Sequence, residues 1–153
     1  MKPTKSQDSE IAHNIRKISE TAEQNTLVIW AADCAEHVLR HFVQEFPTDR
    51  RPENAIAAAR GWVRGQVSVS QARRAAFDAH SAARSALSAS SREAARAAGH
   101  AAATAHVKGH ALHAASYAAK AVFNASSVED VEKNVTAERL WQYERLLVTS
   151  QSS

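Results

Sequence analysis

Residues 92–124 read REAARAAGHAAATAHVKGHALHAASYAAKAVFN, and alanine recurs through them at helical spacing from end to end. Alanine is the best intrinsic helix former, and neither proline nor a β-branched run interrupts the pattern. One helix of that length is unusual in a globular domain, so the stretch predicts two helices with a break near Lys108-Gly109. Upstream, Ser90 to Glu93 has the form of a capping box opening the first of them. Before that, Ser70 can cap a helix with Ala72, Ala75, Ala76, Ala79, Ala83 and Ala86 on one face. Pro52 and Glu53 suit the first turn of a helix carrying Ile56, Ala59, Arg60 and Val63 towards Gly65.

Nearer the N-terminus, Thr26 can cap a helix from Leu27 to Phe46, with Leu27, Ala31, Cys34, Ala35, Val38 and Phe42 on one stripe. It should stop there, because Pro47 disfavours helical geometry at the residue before it. Ile11, Ile15 and Ile18 mark a first helix over about residues 9 to 23. Downstream, Ser127 to Asp130 is a second possible capping box, and Leu140, Tyr143 and Leu147 mark a C-terminal helix that ends before TSQSS. The expectation is an all-α fold: a single compact bundle of six or seven Ala-rich, closely packed helices. Its domain would span 9–148, with a flexible N-terminus over 1–8 and a flexible tail over 149–153.

Composition agrees, since 33 alanines among 153 residues stand against four glycines, three prolines and nine aromatics. That balance excludes collagen, disulfide scaffolds and β-sandwiches, and the length suits one domain. Alanine faces let helix axes approach to the lower end of the usual ~8 to 10 Å range. Each methyl buries little, about 0.8 kcal/mol, so Trp30, Phe42, Trp62, Phe77, Phe123 and Trp141 are expected to supply much of the burial. Trp62 falls away from the Ile56 and Val63 side of its helix and would meet a second neighbour or a partner.

The single Cys34 cannot close an intramolecular disulfide, and MKPTKSQDSE contains no apolar run of signal-peptide type. The expected location is cytoplasmic. Leu27 to Phe46 carries Asp33, Glu36, His37, Arg40, His41 and Glu45, which a bilayer core would not accept, so no membrane span is expected. Charge is polarised along the chain: residues 55 to 121 hold nine basic and two acidic groups, whereas both flanks are mildly acidic. A basic centre fits either acidic neighbours within the bundle or an acidic partner.

Eight histidines raise the question of a metal, and His37 with His41 and His106 with His110 each have i, i+4 spacing. Zinc needs three or four supported ligands, and neither the Glu of a His-Glu-x-x-His motif nor paired Glu-x-x-His segments are present, so no metal and no cofactor are expected. His110, His113, Ala114, Tyr117 and Ala121 share a helical face, and with His106 they could form an internal network reaching Asp33 or Glu36. Arg73, Phe77, His80 and Arg84 form a basic and aromatic stripe that could meet phosphate or carboxylate, or pair with Asp33, Glu36 or Asp78. The chain shows no helix-turn-helix signature, which argues against nucleic acid. Cys34 lies a turn from His37, but in an apolar stripe a cysteine is better read as a small buried hydrophobe than as a nucleophile.

Three strings occur in a fixed order: WAADCAEHVL at 30–39, RRPENAIAAARGWVRG at 50–65 and GHAAATAHVKGHALHAASYAAKAV at 99–122. Together they resemble a bacterial family of small all-helical domains, the immunity-five-like putative immunity proteins, over about residues 25 to 145. The matching positions are Trp30, Asp33, Cys34, His37, Pro52, Ala55, Ile56, Arg60, Trp62, Gly65, His80, Arg84, Thr104, His106, His110, Tyr117 and Ala118. The resemblance implies a non-catalytic protein that binds and neutralises a cognate toxin, and it brings no catalytic residue set. From it and the charge pattern, the candidates for a polar network or partner surface are Asp33, His37, Arg60, Trp62, Arg73, His80, Arg84, His106, His110 and Tyr117. The alternatives are a helical interaction or homo-oligomeric domain, and a His-rich metal-binding protein.

Overall fold

A computed structural model describes the backbone of residues 3–151 and the side chains of residues 9–151. Eight helices follow one another: α1 (Pro3–Thr21), α2 (Gln24–Val38), α3 (Arg40–Val43), α4 (Arg51–Val63), α5 (Val69–Arg84), α6 (Ala89–Ala103), α7 (His110–Ala125) and α8 (Val131–Gln151). Among the described residues there is no strand. The expected six or seven become eight because the helix anticipated over 27–46 is divided at Leu39. There the backbone stays helical but tightens, with Leu39 N–H donating to Glu36 O at 3.2 Å, while Arg40 Nη1 donates to His37 O. The expected flexible ends, 1–8 and 149–153, include residues 1, 2, 152 and 153, which lie outside the described residues. In the described part, helix begins at Pro3 and continues to Gln151, past the limits anticipated from periodicity.

The break in the long alanine stretch lies where the glycine and lysine suggested, over residues 104–109. Its carbonyls are not left to solvent alone: Gln24 Nε2, from the start of α2, donates to Thr104 O at 3.1 Å and to Ala105 O at 3.0 Å. A side chain eighty positions away thus satisfies acceptors that every helix end leaves open. Local caps differ from the sequence reading by a few positions. Ser68, rather than Ser70, forms a capping box with Gln71, and Ser88, rather than Ser90, accepts from Ser91 N–H. Thr26 is buried inside α2, whose N-cap is Glu23. In each case the cap is a residue in extended geometry two or three positions upstream, which backbone conformation decides and composition does not.

α6 is the centre of the bundle and packs against α2, α3, α4, α5 and α7. Its Ala94, Ala95, Ala97, Ala98, Ala101 and Ala102 are buried, and the alanine faces of α5 and α7 meet it. Methyl side chains permit contact on several sides at once, because no long side chain holds any neighbour away. α1 lies against α8, and Ile15 and Ser19 are buried on it.

The large residues divide in a way the sequence did not reveal. Trp30 and Phe42 are fully buried and Trp62 and Trp141 partly so, but Phe77 and Phe123 are 67% and 57% exposed. Those two rings lie outside the alanine-lined contacts, and summed methyl burial carries the core together with Trp30, Phe42, Ile15, Leu27 and Leu146. α8 is also turned from its expected orientation. Leu140 is exposed, and the buried stripe is Glu138, Gln142, Leu146 and Thr149. Gln142 explains the rotation: its Nε2 donates to Ala115 O at 2.9 Å, its backbone carbonyl accepts from Trp30 Nε1 at 2.8 Å, and its Oε1 accepts from Arg139. A buried amide with every group paired can occupy a core position that hydrophobic periodicity assigns to leucine.

Ala101 is fully buried in α6. Ala101→Leu is therefore expected to overpack the central contact and cost ~1 to 3 kcal/mol, read as a lower midpoint of thermal unfolding. An unchanged midpoint would mean that α6 is not closely packed.

Candidate functional site

Two polar centres emerge on this framework. The first joins α2, α4 and α8. Arg60 Nη2 reaches Asp33 Oδ1 at 2.8 Å and Glu36 Oε1 at 3.0 Å, and Arg145 Nε reaches Asp33 Oδ2 at 3.0 Å. Asp33 is mostly buried and takes one arginine on each oxygen, so the residue acts as a pin between three helices. One turn along α2, His37 Nδ1 lies 2.9 Å from Glu138 Oε2, and the imidazole stacks on Trp141 at 3.7 Å between ring centroids. On either side of this stack are shallow grooves. The larger, about 500 Å³, is lined by Arg40, His41, Val122, Asn134 and Glu138, and the smaller, about 270 Å³, by Asp33, Glu36 and Arg145.

The second centre joins α5, α6 and α7. His100 of α6 stands in the middle: Tyr117 stacks parallel to it at 5.2 Å, His80 meets it edge-on at 5.0 Å, and His110 and His113 lie at 5.1 and 5.2 Å between ring centroids. His100 Nδ1 and His110 Nδ1 are 3.0 Å apart, so one nitrogen donates and the other accepts. The bond survives with at most one of the two rings cationic. Gly99 makes room for this arrangement, since a Cβ there would lie 2.6 Å from His80 Cε1. Arg96 and Lys120 sit over the Tyr117 ring. Burial, followed by the neighbouring imidazoles and Arg96, pushes the His100 pKa down to about 3. His80 and His110 are lowered as well, chiefly by burial. His80, His100 and His110 are thus neutral at ordinary pH.

Each candidate residue now has a place. Asp33, His37 and Arg60 belong to the first centre, while His80, His110 and Tyr117 belong to the second. Asp33 and Glu36 engage arginines on α4 and α8 and not the histidine stripe. His106 is exposed in the α6–α7 connection. Arg73 is exposed on α5, and Arg84 donates to Ser81 Oγ at 2.8 Å. Trp62 packs partly buried against the core. Sequence reasoning missed His100, Glu138, Arg145 and Trp141 as site residues. His100 could have been found by its offset of four from Arg96, but the α8 residues lie about a hundred positions from their partners and gave no local signal.

Cys34 is fully buried, and burial, reinforced by Glu138 and Asp33, raises its thiol pKa well above the usual value, so no thiolate nucleophile forms there. Among the described residues no group of three or more His, Cys, Asp or Glu side chains is arranged to hold a metal ion, and no helix is long and apolar enough to cross a membrane.

The lowered imidazole pKa values set a pH dependence. A histidine whose folded pKa lies below its unfolded value, near 6.5, contributes stability that is present above that value and is lost as pH falls towards about 3. Urea unfolding across that window should show falling stability with a shallower fall in His100→Gln; an identical slope in the variant would contradict the lowered His100 pKa.

Compared with known proteins, the chain matches over residues 17–149 the family model described as Imm-5 like putative immunity protein. No curated protein and no solved structure matches it.

Proposed function

The chain belongs to the Imm-5 like putative immunity protein family, and we propose on that premise that it binds and neutralises a cognate toxin of a bacterial toxin-immunity system, with no chemistry of its own. The observation that carries this reading is the family match across residues 17–149, which spans both polar centres. The geometry supports it. The bundle holds its polar side chains in fixed poses by ion pairs and ring stacking between helices, which preorganises a surface for association. The basic middle segment, nine cationic against two anionic side chains over residues 55–121, favours an acidic toxin surface through association rate and specificity. A cytoplasmic location is part of this proposal.

A second reading, a homo-oligomeric interaction domain, is favoured by a specific observation: Phe77, Leu87, Phe123 and Val128 are all strongly exposed. Sedimentation velocity separates the two, because a monomer at working concentration leaves those side chains free for another protein.

The test of toxin binding is co-expression with candidate toxins taken from neighbouring genes. Growth should be restored and the two proteins should co-purify. Killing that proceeds equally with and without this protein would overturn the proposal.

A further inference from the structure

The two stripes that the sequence separates, Arg73/Phe77/His80/Arg84 and His110/His113/Tyr117, are brought to the same side of the molecule. His80 and Tyr117 both pack on His100, so the stripes flank the only outward strip of α6, which carries Arg92, Arg96 and His100. Lys120 extends the α7 edge over Tyr117. The carboxylate here is Glu93, mostly buried and held by Arg96 at 3.1 Å and Arg92 at 3.7 Å. Asp78, also on α5, acts electrostatically on Arg51 of α4 and so belongs to the opposite edge of that helix. Three helices thereby present one continuous basic and aromatic face whose positive charge exceeds its internal counter-charge.

We infer that this α5–α6–α7 face is the docking surface for an acidic protein partner, and that carboxylates of that partner seat against the His100–His110 pair and between Arg96 and Lys120. This rests on the toxin-binding reading and names the partner's chemistry and the face it meets. Charge complementarity selects the occupant. Composition separates a protein from a nucleic acid: exposed Phe77, half-buried Tyr117 and neutral imidazoles resemble the aromatic and arginine anchors of protein interfaces, whereas nucleic-acid surfaces depend on dense permanent charge.

Binding there is linked to protons. The groups acting most strongly on His100 are His80 from α5, His110 and His113 from α7, and Arg96 on its own helix, and no carboxylate is among them. α2, α3 and α4 pack on α6 as well, and the buried residues of α6 are alanines apart from Ser91, Gly99 and the arginine-paired Glu93. An arriving carboxylate supplies the missing counter-charge and favours the imidazolium, so the complex takes up protons and tightens as pH falls towards about 6.

The test uses hexaglutamate as the probe, titrated into isotope-labelled full-length protein and followed by NMR. Shifts are expected at His100, His110, His113, Tyr117 and Lys120, with about threefold or greater tightening between about pH 7.5 and about pH 6. Arg73→Glu with Lys120→Glu, both at exposed positions, should weaken binding about tenfold, while Arg16→Glu with Lys17→Glu on α1, an equal charge change, should leave it within about twofold. Equal loss in both pairs, shifts elsewhere, absence of shifts, or binding that ignores pH would overturn the proposal. So would tighter binding of a single-stranded oligothymidylate to this face, or burial of the face in a dimer. In the growth assay, full rescue by Arg73→Glu/Lys120→Glu overturns the face and leaves toxin binding standing. Failure of the unaltered protein to rescue overturns toxin binding, and the peptide titration then decides the face alone.

Discussion

Methyl against methyl contact around α6 is the constraint from which the remaining arrangement follows. A helix that touches five others can do so only if most of its side chains take little depth, and α6 meets that condition with alanine at six of its nine buried positions and the small Ser91 and Gly99 at two more. The consequence is a core with little tolerance for volume. Large rings are admitted where α2 meets α8 and α3 meets its neighbours, as Trp30 and Phe42 show, and are turned outward on α5 and α7.

Close axes also determine where polarity can go. Between alanine faces little space is left for long polar side chains, and the larger polar groups pair across helices or collect along the seams. Asp33 between Arg60 and Arg145, His37 between Glu138 and Trp141, and Gln142 between α2, α7 and α8 are the paired kind. The histidine cluster is a seam, filled by flat rings that stack in the narrow space beside Gly99. Burial lowers the pKa of His80, His100 and His110, whereas His37 pairs with the Glu138 carboxylate at 2.9 Å. The two centres thus differ in what they can accept from outside: one is internally neutralised, the other is open to negative charge.

For the partner binding proposed here, that division is useful. A face that needs no rearrangement and offers fixed cations and flat rings loses little entropy on binding. The internally paired centre holds α2, α4 and α8 in register behind it. Loss of Asp33 would therefore act on the framework, and loss of Arg73 or Lys120 on the surface.

Helical class, the break before Gly109, the buried stripe of α2 and the alanine faces of α5 to α7 were legible from residue order, because propensity and periodicity are local properties. Family membership was legible too, through motifs that stay contiguous in the chain. The exact caps, the split at Leu39, the exposure of Phe77 and Phe123 and the turned face of α8 were not. The turned face of α8 depends on partners far away in sequence, since Gln142 is oriented by Trp30 and Ala115, and so does the placing of Asp33, by arginines 27 and 112 positions distant; the caps and the split at Leu39 turn on local backbone geometry instead. The sequence by itself determined which segments coil and which of their faces are small. Only the tertiary structure decided which polar groups meet, since helix packing chooses among neighbours that spacing along the chain cannot distinguish.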